Sequence, residues 1–201
     1  MKNIKSFLLL LVTPLIVSCA SAPWHETPSA STVGEKKASF SAGYHSLSIT
    51  GFKFTYGATD RIDVGGQLEV GPLFSSMGLH GRYGLILPDA ERQGWALSTD
   101  LGTGYSGSDS KYVFGGLAGS YRWHWIEPHL VARGNYVWNK ERYSFSVNNI
   151  STTIEGDDYG YVFSVAGLTF WPAKSFALYI QSTFFNENYS GLQIGLYFRS
   201  P

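Results

Sequence analysis

The sequence is poor in charge, in cysteine and in long apolar runs. Only 15% of its 201 residues are charged, against roughly 25% in soluble domains. The 15 basic and 15 acidic residues balance, so the chain lacks the basic surplus that accompanies binding to nucleic acid. Its single cysteine cannot close an internal disulfide or build a four-cysteine metal site. The chain is instead rich in glycine and aromatic residues, which predicts that lipid rather than water covers much of its surface.

The N-terminus has the organisation of an export signal. Lys2 and Lys5 precede an apolar run over residues 7–17 that is too short to span a bilayer as a helix. The run ends at Ile-Val-Ser-Cys, residues 16–19, which resembles the lipobox of bacterial lipoproteins. The resemblance implies a signal peptide over residues 1–18, cleavage before Cys19 and a diacylglycerol thioether on Cys19. An ordinary secretory signal is the alternative.

Three segments follow from composition and from this resemblance. After the signal peptide, residues 19–37 are rich in Ser, Thr, Pro, Glu and Lys without periodicity, which predicts a flexible tether with a solvated His25. The lipobox resemblance implies that this segment begins with a lipidated N-terminus. No aspartate follows Cys19, which resembles the signal for sorting to the outer membrane and implies the lipoprotein-sorting machinery as a partner. Residues 38–201 form the remaining domain.

Apolar and polar residues alternate along that domain, as they do in strands whose two faces differ. Short turn signals separate the runs, so we predict an all-β, antiparallel up-and-down barrel of about ten strands, with eight as the alternative. Arginines share the polar face with carboxylates, which suits a desolvated network inside a transmembrane barrel better than a water-facing surface. The predicted polar network of the lumen is Arg61, Asp63, Glu69, His80, Arg82, Asp100, Arg122, Glu127, His129, Arg133 and Arg199.

Aromatic residues fall near the predicted strand ends, and the apolar runs last about ten residues, the length of a tilted membrane strand. Two aromatic belts at the membrane interfaces would give this distribution. The predicted belts contain Tyr56, Tyr83, Trp95, Trp123 and Trp171 on the periplasmic side and Trp138 on the other. The long insertion from Asn139 to Gly160 would then be an extracellular hairpin whose turn is at the two asparagines 148 and 149. It is either a solvated loop or a contact surface for a partner or surface polysaccharide.

Two stretches resemble a known class of proteins. Residues 56–65, Tyr-Gly-Ala-Thr-Asp-Arg-Ile-Asp-Val-Gly, resemble the strand-turn-strand unit of Gram-negative outer-membrane β-barrel proteins. Residues 192–198 resemble their terminal strand, although Arg199, Ser200 and Pro201 follow here instead of a terminal aromatic. The resemblance implies an outer-membrane location, contact with outer-membrane lipid and recognition by the barrel-assembly machinery.

Motifs for catalysis and cofactors are weak. Residues 102–107 match the glycine pattern of dinucleotide sites, but a turn and a strand follow where a phosphate-binding helix would be needed. His45, His80, His129 and the lumen carboxylates could support hydrolysis or a metal, yet no family motif surrounds them. We therefore predict no catalytic, cofactor or metal site and no enzyme activity. The leading hypothesis is a lipid-anchored outer-membrane barrel with a structural, surface-interaction or narrow-pore role. A periplasmic lipocalin-like lipoprotein that binds an apolar ligand and a barrel hydrolase acting on lipid or peptide are the alternatives.

Overall fold

A computed structural model describes residues 25–46, 48–71, 75–89, 92–107, 109–139, 142–147, 150–155, 157–185 and 189–201. The predicted signal peptide and the predicted lipidation at Cys19 lie outside these residues. The described residues contain no helix long and apolar enough to cross a membrane. The strands are β1 (Ala38–His45), β2 (Ile49–Gly57), β3 (Ile62–Val70), β4 (Ser75–Ile86), β5 (Gly94–Ser106), β6 (Ser110–Arg122), β7 (Ile126–Trp138), β8 (Arg142–Val147), β9 (Ile150–Glu155), β10 (Tyr159–Ala173), β11 (Phe176–Phe185) and β12 (Tyr189–Arg199).

Ten of these strands close into one antiparallel barrel. Their order is β1-β12-β11-β10-β7-β6-β5-β4-β3-β2, and β1 closes the barrel by pairing with β12. The ten-stranded prediction is confirmed, and the eight-stranded alternative is wrong. The insertion forms the predicted hairpin, a separate pair in which β8 and β9 align Arg142 with Glu155. We call the end of the barrel with Ala38 and Arg199 the terminal end, and the opposite end, with the hairpin, the loop end.

Alternation along each strand sorts side chains between lumen and exterior. In β7 the burial alternates without a break, so that Glu127, His129 and Arg133 point inward while Leu130 and Tyr136 point outward. An apolar exterior around a polar lumen is the arrangement of a transmembrane barrel, because lipid replaces water around the wall. The same arrangement contradicts the lipocalin-like alternative, which requires an apolar interior.

The N-terminal segment lies inside the barrel. All of residues 25–33, which we call the plug segment, are buried, and His25 and Glu26 are 2% and 1% exposed. The prediction of a flexible tether with a solvated His25 is therefore wrong for these residues. The physical reason is that a lumen lined by polar groups needs hydrogen-bond partners, and a segment of Ser, Thr and Glu side chains with its own backbone groups supplies them.

The plug segment runs antiparallel to β1. Its Val33 amide donates to Asp63 near the terminal-end start of β3, and its His25 amide donates to Glu69 near the loop-end finish of the same strand. The chain then reverses at Gly34, whose φ of 95° favours glycine. A side chain at Gly57 would collide with the Gly34 carbonyl, so this close approach also needs glycine at position 57. The plug segment therefore crosses the barrel from the loop end to the terminal end before β1 begins.

Two residues lie on the other side of the wall from the sequence prediction. Arg61 is exposed, because it precedes β3 in the turn, where its guanidinium donates to the Gly84 carbonyl at 3.0 Å. Trp171 is not in the outer belt: it is 4% exposed and points into the lumen. Strand β10 is apolar on both faces, so alternation of polarity does not reveal which face is inside there.

Candidate functional site

The middle of the lumen contains a buried carboxylate between two wall cations. Glu26 of the plug segment forms an ion pair with Lys53 at 3.6 Å and another with Arg133. The Arg133 guanidinium also lies over two rings, 4.4 Å from the centroid of Phe114 and 4.7 Å from that of Phe163. Because removing one member of a buried ion pair leaves its partner uncompensated, Glu26 ties the plug segment to the wall on two sides.

Arg82 connects the wall to the plug segment nearer the terminal end. Its guanidinium makes a two-pronged contact with Asp100, with distances of 2.8 and 2.9 Å. The remaining donors reach the Ser29 carbonyl at 2.8 Å and the Thr27 hydroxyl at 3.2 Å. The fork of guanidinium donors suits this combination of a carboxylate and a backbone. Arg82 therefore holds the backbone of the plug segment in place as well as a wall carboxylate.

Glu127 provides a second junction at the same level. One carboxylate oxygen accepts from the hydroxyls of Ser29 at 2.6 Å and Ser120 at 2.7 Å. The other oxygen accepts from the Trp171 indole at 2.9 Å. Next to this junction, the Thr169 hydroxyl donates to the Pro28 carbonyl at 2.7 Å. The inward Trp171 is thus held by a carboxylate that also binds the plug segment.

Both ends of the plug segment are anchored. Towards the loop end, the His25 ring contacts the Ser41 hydroxyl at 2.9 Å and the Gln193 amide. At the terminal end, the Arg92 guanidinium donates to the carbonyls of Thr32, at 2.9 Å, and of Val33. Burial, followed by the charge of Arg199, lowers the pKa of Arg92 to about 10.

The lumen histidines are bonded to neutral groups. His80 contacts the Thr55 hydroxyl at 3.2 Å, and His129 contacts Gln181 at 3.0 Å and the Thr169 hydroxyl at 3.3 Å. Within the described ranges neither ring shares a hydrogen bond with a carboxylate, and no group of three or more His, Cys, Asp or Glu could hold a metal. Among these residues, the pairing of His80 or His129 with a carboxylate that general acid–base chemistry would use is not present.

The other predicted residues separate cleanly between the two faces. Those of the lumen network apart from Arg61 are buried: Asp63, Glu69, His80, Arg82, Asp100, Arg122, Glu127, His129, Arg133 and Arg199. Those of the belts apart from Trp171 are exposed: Tyr56, Tyr83, Trp95 and Trp123 towards the terminal end and Trp138 at the loop end. At the base of the insertion, the Asn139 amide donates to Asp158 at 2.9 Å.

Sequence reasoning missed the plug segment and two wall cations that depend on it, Lys53 and Arg92. Lys53 did carry a signal, because it lies between Phe52 and Phe54 in an alternating strand and is therefore an inward position. Arg92 lies in the connection between β4 and β5, where alternation gives no information.

A closed barrel with a lipid-compatible exterior and an occupied polar lumen defines the class, a plugged transmembrane β-barrel. No family model matches the chain, and no curated protein matches it. Among solved structures it is similar to the KdgM porin (5% identity, 81% of this chain and 98% of that chain, TM-score 0.46). It is also similar to the NanC porin (13%, 80% and 98%, 0.44) and to Ail of Yersinia pestis (14%, 83% and 99%, 0.38). At these identities the likeness is one of fold class alone.

Proposed function

We propose that the protein is a lipid-anchored barrel of the outer membrane that its own N-terminal segment keeps closed. Its role is then structural or interactive at the cell surface rather than the passage of solutes. The observation that carries the proposal is the buried plug segment, residues 25–33, bonded to the wall from the terminal end to the level of Glu69. A ten-stranded barrel is little wider than the eight-stranded kind that side chains fill, so one extended segment is enough to obstruct it.

The orientation in the membrane follows from the two ends. Outer-membrane barrels place short turns in the periplasm and long loops outside. Here the longest connection, which contains the β8–β9 hairpin, is at the loop end, and the longest connection at the terminal end covers only residues 87–93. The hairpin is accordingly the surface that we propose for contact with a partner or a surface polysaccharide. Outer-membrane lipid surrounds the belts, and the barrel-assembly and lipoprotein-sorting machineries deliver the chain.

The path of the plug segment supports a proposal for the position of a lipid on Cys19. His25 packs against Gly51, two residues from the loop-end start of β2, so the loop-end rim is about 7 Å away at 3.3 Å per residue. Six residue steps from Cys19 to His25 span at most about 20 Å. That length is enough to reach the loop-end rim. The path through the lumen from His25 to the terminal end is already occupied by residues 26–33. We therefore expect the chain before His25 to leave the barrel at the loop end and a lipid on Cys19 to lie in the outer leaflet.

Conductance tests the closed state. Full-length mature protein in planar bilayers should show no sustained current, and a variant lacking residues 25–33 should conduct. Deleting residues 142–155, which removes the hairpin and leaves the plug segment, should stay closed and is the matched control. Equal conductance of the full-length protein and the variant without residues 25–33 would contradict the proposal.

Labelling with a membrane-impermeant maleimide on intact cells tests the threading. Ala22→Cys should label without permeabilisation, like Asp109→Cys in an exposed loop-end turn, whereas Ala58→Cys in an exposed terminal-end turn should not. Mass spectrometry of the mature N-terminal peptide reports the lipid separately. If the protein is lipidated but Ala22→Cys is labelled only after permeabilisation, the threading is wrong and the lipid anchor stands. If the mature N-terminus carries no lipid, the lipid anchor is wrong.

A further inference from the structure

The terminal-end mouth of the lumen contains a cavity of about 500 Å³ surrounded by positive charge. Its cationic side chains are Lys37, Arg92, Arg122, Lys174 and Arg199, and none of the lining residues that the structure describes is an aspartate or glutamate. A volume of this size is in the range of small-molecule sites, which is roughly 300–1,000 Å³. The mouth therefore has room for a ligand of the size of a phosphorylated sugar.

Two arginines of this cavity are held in place by one indole. The guanidinium of Arg122 lies 4.0 Å from the centroid of Trp171, and that of Arg199 lies 5.1 Å from it. Trp171 is itself fixed by its hydrogen bond to Glu127. Cation–π contact with Trp positions a guanidinium but leaves its in-plane N–H donors free for an oxyanion. The arrangement is thus organised before any ligand arrives.

The same arginines have no carboxylate partner. In the part of the chain that the structure describes, neither Arg122 nor Arg199 forms an ion pair, although both are buried, at 9% and 5% exposure. The nearby Glu127 is occupied by Ser29, Ser120 and Trp171. Buried charges are normally paired, and burial, followed by the nearby charge of Arg199, lowers the pKa of Arg92. Among the described side chains that line the cavity, none therefore supplies a counter-charge.

We propose that this mouth binds a phosphorylated ligand on the periplasmic side of the barrel. A carboxylate has two oxygens and satisfies one guanidinium fork, whereas a phosphate group presents enough oxygens for several donors at once. Arg92 already donates to the plug segment. Arg122 and Arg199 still bring two guanidinium groups to one cavity, which favours phosphate. The phosphate can belong to a soluble ester or to the headgroup of a phospholipid.

Titration calorimetry with inorganic pyrophosphate on the purified full-length mature protein in zwitterionic detergent tests the site. We expect saturable binding that Arg199→Gln weakens at least tenfold. Arg61→Gln is the matched control, since Arg61 belongs to the same end of the barrel but is exposed in a turn and does not line the cavity. Lys174→Gln, an exposed turn residue that lines the cavity, should weaken binding two- to fivefold without disturbing the wall.

Nanodiscs distinguish the two sources of phosphate. With phosphatidylglycerol in place of phosphatidylcholine, a headgroup ligand should compete and raise the apparent dissociation constant of pyrophosphate for the wild type but not for Arg199→Gln. Unchanged affinity assigns the site to a soluble ester. Absence of pyrophosphate binding, or equal binding by the wild type, Arg199→Gln and Lys174→Gln, would overturn the proposal. Unchanged heat-modifiable mobility of both variants in detergent electrophoresis establishes that they are folded.

Discussion

Replacing Glu26 by glutamine removes the single charge that the plug segment contributes to the lumen. In the wild type this carboxylate lies between Lys53 and Arg133, and the side chains of Glu26 and Lys53 are only 2% and 1% exposed. Removing one member of a buried ion pair costs about 3–5 kcal/mol. We expect the lower end of this range, because the amide oxygen of glutamine can still accept a hydrogen bond from one of the two wall cations.

The loss should appear as release of the plug segment and not as unfolding of the barrel, since the ten strands keep their hydrogen bonds. A change of about 3 kcal/mol in the closing equilibrium raises the open fraction about a hundredfold, at tenfold for every 1.4 kcal/mol. Single-channel recording in planar bilayers measures this as open probability. Adding Lys53→Gln to Glu26→Gln should restore part of the closure, because it removes one of the two cations left facing each other.

Glu35→Gln is the control for this experiment. Glu35 follows the plug segment, its side chain is 51% exposed and its ion pair with Lys36 is on the surface, where such pairs contribute little. Its open probability should equal that of the wild type. If Glu26→Gln remained as closed as Glu35→Gln while both ran as folded barrels, the ion pairs of Glu26 would not hold the plug segment and the reasoning would fail.

Three further changes test other parts of the structure. A methyl group added at Gly51 would lie 2.6 Å from Cγ of His25, so Gly51→Ala should displace the plug segment and raise conductance in the same recordings. The Ala30 amide lies 3.2 Å from the Ser120 hydroxyl. The double variant Ala30→Cys, Ser120→Cys should therefore form a disulfide under oxidation, which electrophoresis detects as a mobility shift that a reductant reverses. Absence of the disulfide would place the plug segment elsewhere. Leu101 points out of the barrel wall and is 64% exposed. If position 101 lies near the bilayer centre, Leu101→Arg should lower the free energy of unfolding in lipid by about 2–4 kcal/mol. An unchanged denaturant midpoint would argue against a lipid-facing wall.

The wall of the barrel could be predicted from sequence because its two faces meet different solvents. In β7 that difference places Arg133 inward and Tyr136 outward, and strict alternation then assigns the remaining residues, including the inward Val131. The rule failed where the difference vanishes. In β10 both faces are apolar, so Trp171 was assigned outward, and Arg61 was assigned inward by extending the alternation of β3 past its first residue.

The plug segment could not be predicted because its conformation is determined by its surroundings. Residues 25–33 have no periodic pattern, and their Ser, Thr and Pro content is typical of a solvated tether. The buried conformation of this segment is favourable only in a lumen whose donors and acceptors need partners. Such a lumen forms only when the ten strands have closed into a barrel. The available signal was an inward cation, Lys53, for which the predicted network had no partner.

Charge balance connects the plug segment with the cavity at the terminal end. Among the described residues the buried wall contributes five cations, Lys53, Arg82, Arg122, Arg133 and Arg199, and four anions, Asp63, Glu69, Asp100 and Glu127. Glu26 supplies the fifth anion, so the fully buried charges of the described lumen balance, and the half-buried Arg92 at the terminal end lies outside this count. The lumen is not neutral at each level, because Glu26 compensates the middle of the lumen while Arg122 and Arg199 at the mouth have no carboxylate within ion-pair distance. Glu26 is the only carboxylate of the plug segment and is paired with Lys53 and Arg133, so it does not compensate the arginines at the mouth.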